Sequence, residues 1–168
     1  MPLVQNILLA IDDHDATKRA VEYVAAFIAD RDDVNIHLVH ALRPLPPQLM
    51  ESPGAEDPTR EQQIEKCQAA QQKSWKNRAA TEVVPVLETA RSQFIAAHIP
   101  AQKVATHILQ LNDRGDLVSE IIRAAREYRC HTIVVGYNDY SWIKEKFHAH
   151  IAEQLIAQSE RLAVCVVK

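Results

Sequence analysis

Glycine is scarce in this chain: of 168 residues, only Gly54, Gly115 and Gly136 lack a side chain, where ordinary usage of about 7% would give roughly twelve. Walker loops and dinucleotide fingerprints need two or three glycines within a few positions, because backbone must approach phosphate with no Cβ in the way. No two glycines here are closer than Gly115 and Gly136, so both loop types are excluded. Cysteine is sparse as well. Cys67, Cys130 and Cys165 are odd in number, widely spaced and without a C-x-x-C, which suits a reducing compartment better than a disulfide framework. Long apolar runs are missing. Residues 3–11 (LVQNILLAI) lack a basic flank and run into Asp12, Asp13 and Asp15, unlike a signal peptide. Elsewhere nothing approaches the roughly 20 apolar residues that cross a bilayer. An excess of positive charge is absent too, with 19 Lys+Arg against 22 Asp+Glu and a net charge of −3. The densest basic stretch, Lys73 to Arg78 (KSWKNR), falls in a helical pattern and marks its solvated face. A cytoplasmic protein with no nucleic-acid and no membrane partner is therefore expected.

What the chain does have is an ordinary globular balance, 47% hydrophobic and 24% charged, enough for one domain over residues 1–168. Five β-branched or Leu-rich runs stand out: 6–11 (NILLAI), 34–40 (VNIHLVH), 104–111 (VATHILQL), 132–136 (TIVVG) and 162–167 (LAVCVV). Most are apolar on successive residues, the mark of strands buried on both faces of a parallel sheet. Helical periodicity fills the gaps: 16–29 with Ala20, Val24, Phe27 and Ile28, 117–128 with Leu117, Ile121, Ala124 and Tyr128, and 143–158 with Phe147, Ile151 and Leu155. Alternating strands and crossover helices predict an α/β fold with helices on both faces of the sheet.

The segment between the second and third strands departs from this rhythm. It opens with Pro44, Pro46, Pro47, Pro53 and Pro58, so residues 43–58 are predicted to be a loop. Residues 59–99 then carry helix-forming Gln, Glu, Lys and Ala, with Pro85 expected to kink or split the helix. Val83, Leu87, Ala90, Phe94 and Ala97 form the apolar stripe of its later part. The earlier part (EQQIEKCQAAQQKSW) is only weakly amphipathic, which fits either projection from the body or an intersubunit contact.

Ligands of doubly wound sheets sit outside the carboxyl ends of the strands, where chain order reverses. The residues to inspect there are Asp12-Asp13-His14-Asp15 after the first run and Gly136-Tyr137-Asn138-Asp139 after the fourth. Asp13 and Asp15 are also natural caps for the first helix. A phosphoacceptor site of the receiver type needs an Asp ending the middle strand and a Lys near the end of the last strand with a helix beyond it; Leu111-Asn112-Asp113 and the final Lys168 do not supply these. No metal site is expected. His148 and His150 are i, i+2 and point apart on a helix, and His37 and His40 fall on opposite faces of a strand. Ser141 and Ser159 lie outside any nucleophile-elbow sequence, so no catalytic residues are assigned.

Three blocks, in order, resemble the universal stress protein family over almost the full length. NILLAIDDHDATKRAVEYV is similar to its first strand, terminal Asp and following helix, with Thr17 where Ser or Thr is usual. GDLVSEIIRAAREYRCHTIVVG resembles its Gly-led helix and fourth strand, with His131 in place of Asp. AHIAEQLIAQSERLAVCVV resembles its last helix and fifth strand, with Ala163 where Pro is general. The resemblance implies a Rossmann-like doubly wound domain whose five parallel strands are ordered 3-2-1-4-5. It also implies a site. ATP-binding members carry a glycine after the fourth strand, a second glycine three positions on, and a Gly-Ser or Gly-Thr pair at the last helix. Gly136 matches the first position, but Asp139, Ala149 and His150 stand at the others. Asp139 puts a carboxylate where phosphate would lie, and Ala149 adds a Cβ. Asp12 matches the purine- and ribose-side contact. The resemblance therefore implies a non-enzymatic stress-response module with an unidentified protein partner, without family-type ATP binding and with no cofactor. An ATP- or AMP-binding switch using Asp12, Gly136 and His150 is the alternative. A homodimer through strand 162–167 is also implied, since LAVCVV would otherwise be an unpaired apolar edge.

Overall fold

The structure, a computed structural model, describes residues 5–12, 15–29, 31–51, 54, 56–111, 116–137 and 151–168. Five strands, β1 (Gln5–Ala10), β2 (Val34–Leu42), β3 (Val104–Gln110), β4 (Thr132–Gly136) and β5 (Ala163–Val167), form one sheet in the order β3-β2-β1-β4-β5. Every pairing is parallel, with Leu8 opposite His37 and Ile133, His37 opposite Ala105, and Val134 opposite Cys165. The fold class and strand order expected from the sequence are those observed.

Successive strand residues feed two cores. Ile7, Leu9, Val34, Ile36 and Leu38 pack with α1 (Asp15–Ile28) and the end of α3 (Pro58–Ala96) on one face. Leu8, Val39, Ile133 and Val135 pack with α4 (Leu117–Glu127) and α5 (Ile151–Gln158) on the other. Two-sided burial explains why these strands read as nearly continuous apolar runs. Phe27 departs from its expected place. It lies 58% exposed on the outer side of α1, stacked on Tyr23 with ring centroids 6.3 Å apart and Arg31 above it, while Ala20, Val21, Val24, Ala25 and Ile28 supply the buried stripe.

The proline-rich segment also differs from its expected form. Pro47–Met50 folds as a short helix, α2, inside the stretch read as loop. Pro47 stands at its start, where a missing N–H costs nothing and φ is already set for a helix. Nor does Pro85 split the long helix. α3 continues from Pro58 to Ala96, capped by the Asp57 carboxylate, which accepts from the Thr59 amide at 3.0 Å. A proline removes only one backbone hydrogen bond, and α3 keeps its turns on either side. Hydroxyls of Thr81, Thr89 and Ser92 donate to the carbonyls of Asn77, Pro85 and Glu88. Leu87, Ala90 and Phe94 anchor the end of α3 in the core, whereas most of its first half is exposed.

Shortage of glycine is visible at the helix ends. After α3 the Ile99 and His98 amides donate to Phe94 and Ile95, and after α4 the Cys130 and Arg129 amides donate to Ala125 and Arg126. These are Schellman ends, which usually place glycine in the left-handed position. Here His98 (φ 65°) and Arg129 (φ 53°) occupy it.

Candidate functional site

The sheet reverses chain order between β1 and β4, and the first turn of α1 sits at that junction. Asp12 follows β1 and is exposed, while Thr17 in α1 is buried. The Asp12 amide donates to the Thr17 hydroxyl oxygen at 3.2 Å, and that hydroxyl donates to the Asp12 carboxylate. A closed pair of this kind ties the strand end to the helix start and holds the carboxylate at the sheet's carboxyl edge. Lys18 pairs with Asp15 at 3.0 Å on the outer surface of the same turn.

Gly136 closes the junction from the β4 side. A Cβ on it would lie 2.6 Å from the Ala16 carbonyl carbon and oxygen and 2.9 Å from the Thr17 nitrogen. Those are backbone atoms, so no side-chain rotation relieves the clash. Glycine is required here by strand-to-helix packing whether or not a ligand binds. Beyond it the Tyr137 amide donates to the Val167 carbonyl at 2.7 Å, and Lys168 Nζ stands 4.7 Å from the Tyr137 ring centroid.

Of the residues singled out from the sequence, Asp12 and Gly136 meet here through Thr17. Asp139, Ala149 and His150 lie outside the described residues, as do Asp13 and the segment 143–150 expected to begin the last helix. Among the described residues no three His, Cys, Asp or Glu side chains are arranged to hold a metal ion.

A second cluster escaped the sequence reading. His37 on β2 and His107 on β3 place Nδ1 and Nε2 3.0 Å apart, and Tyr128, just past α4, stacks on both rings, 5.1 Å and 4.0 Å between centroids. Partial burial lowers both imidazole pKa values; His107 adds repulsion at His37, while Glu127 acts in the opposite sense on His107. Burial likewise raises the Tyr128 phenol and pushes the Cys130 thiol up to about 12, leaving Cys130 an unreactive core residue. Only strand register brings the histidines together, and nothing in local sequence announces it.

The family model for the universal stress protein family matches residues 4–168. The chain belongs to the universal stress protein family. Membership makes it a stress-response protein by family. No curated protein matches it. Its fold is shared with a universal stress protein family member from Burkholderia pseudomallei (19% identity, TM-score 0.64, covering 98% of this chain and 96% of that one). It is shared also with the universal stress protein from Archaeoglobus fulgidus in complex with dAMP (16%, TM-score 0.62, 100% of both chains). A universal stress protein in complex with cAMP is similar as well (16%, TM-score 0.60, 98% and 96%). At these identities the likeness is one of fold. No helix among the described residues is long and apolar enough to cross a membrane.

Proposed function

We propose that this universal stress protein is a non-enzymatic cytoplasmic module that acts through a protein partner and does not bind ATP in the manner of the family's ATP-binding members. One observation carries the reading: the single glycine retained from the phosphate-binding pattern, Gly136, is already demanded by its contact with Ala16 and Thr17. Its presence is therefore no sign of a phosphate loop. The other three positions hold Asp139, Ala149 and His150, and a carboxylate in place of glycine repels phosphate. Denaturing the purified protein and chromatographing the supernatant tests this directly. The expected result is no stoichiometric nucleotide.

A second reading rests on the dAMP and cAMP complexes of two similar folds. Asp12, whose carboxylate accepts from the Thr17 hydroxyl at the carboxyl end of β1, stands at the position of the family's purine- and ribose-side contact, which supports an adenine ligand with a short phosphate tail as the alternative occupant. Calorimetry with AMP separates the two: saturable 1:1 binding of AMP favours the switch reading.

The proposal includes a homodimer through 162–167. β5 is an edge strand, and Val164, Cys165, Val166 and Val167 are only half-buried in the single chain. An apolar edge with unpaired amides is relieved by a two-fold mate.

A further inference from the structure

We propose that the cleft between the proline-bearing segment and the first half of α3 is a binding site for a small aromatic carboxylate. A cavity of about 280 Å³ opens beyond the carboxyl ends of β2 and β3, and its lining includes Leu42, Arg43, Leu45, Trp75, Lys76 and Leu111. It lies on the β3 side of the sheet, apart from the β1–β4 junction where Asp12 and Gly136 meet. That volume is near the lower end for small-molecule sites, roughly 300–1,000 Å³, and suits one or two rings rather than a dinucleotide or a peptide.

The lining fixes the chemistry. Arg43 and Lys76 approach from different elements, and neither forms an ion pair with a described residue. Two cations beside Trp75 and three leucines match a ligand with one negative end and a flat apolar body. Arg and Lys serve phosphate as well as carboxylate, but Trp75 and the leucines favour a flat apolar body over a bare phosphate. Helix α3 begins at Pro58, about 25 Å along the helix from Trp75, so its N-terminus adds nothing to the anion end.

The walls are built before any ligand arrives. Gln72 Nε2 donates to the Leu49 carbonyl at 2.7 Å, and Gln68 Nε2 donates to the Leu49 and Glu51 carbonyls at 3.1 and 3.2 Å. These bonds clamp α2 to α3, while Pro44 and Pro46 restrict the backbone between β2 and α2 and Pro47 opens α2. A preformed wall lowers the ordering cost of binding. The weakly amphipathic first half of α3 thereby gains a role: its inward residues face the clamp and the cleft instead of the sheet.

Calorimetric titration of the full chain with 2-naphthoate and its neutral isostere 2-naphthamide tests the site, with thermal melts checking that each variant folds. Saturable 1:1 binding of the acid is expected, with the amide about tenfold weaker or more, since a hydrogen-bonded charge is lost. Arg43→Gln and Lys76→Gln should each weaken the acid about tenfold, and millimolar AMP should not displace it. Absence of saturable binding, equal affinity for acid and amide, unchanged affinity in both variants, or displacement by AMP would each overturn the proposal. Nucleotide release and ATP titration report on the other site, so the two readings fail separately.

Discussion

At the scale of single residues, scarcity of glycine has two opposite outcomes. At Gly136 glycine is irreplaceable: Gly136→Ala forces a Cβ to within 2.6 Å of the Ala16 backbone. Overpacking of this kind costs about 1–3 kcal/mol, and urea unfolding should show the lowered midpoint. Where glycine is missing the backbone takes the strain, as at Arg129 with φ 53°. Arg129→Gly relieves a left-handed side-chain clash of about 1–2 kcal/mol against a glycine entropy cost of about 0.5–1 kcal/mol, so a small rise in the same midpoint is expected. The His37–His107 pair gives stability its own pH dependence. Both folded-state pKa values lie below the ordinary imidazole value, so between the folded and unfolded values the unfolded chain binds more protons. Stability is complete above the ordinary value and falls as pH drops through the window beneath it. Urea midpoints taken on the two sides of that window should differ more in the wild type than in His37→Gln/His107→Gln.

At the scale of elements, α3 is two helices in function and one in hydrogen bonding. Its end is anchored by Phe94, which is fully buried, so Phe94→Ala should cost about 3–5 kcal/mol. Ile64, half-buried in the first half, should cost under about 1 kcal/mol when cut to alanine. Thermal or urea unfolding of the two variants measures the contrast. The stripe of Val83, Leu87, Ala90, Phe94 and Ala97 made the anchored end legible in sequence, because burial against a sheet selects apolar residues at helical spacing. The clamp on α2 was not legible. It is made by glutamine amides on backbone carbonyls, a contact that any polar helix face offers and no periodicity marks. Of the kink or split expected at Pro85, the split does not occur: proline removes a donor at one position, and α3 runs unbroken through it.

At the scale of the whole molecule, the parallel sheet and its order followed from doubly buried strands and from the three blocks shared with the family. The switch-point site was legible as positions, Asp12 and Gly136, but not as geometry. That Thr17 links them, and that Gly136 is held by packing, depends on how closely α1 approaches β4, which sequence does not encode locally. The proposed β5 dimer belongs to this scale. Light scattering at micromolar concentration should give twice the 19.0 kDa chain mass, and Val166→Glu should shift it toward the single chain. The central claim, loss of ATP binding at the phosphate half of the site, is tested most directly by calorimetric titration of ATP into the wild type and into Asp139→Gly/Ala149→Gly/His150→Ser. No saturable heat is expected from the wild type and 1:1 binding from the triple variant; stoichiometric ATP binding by the wild type would overturn the claim.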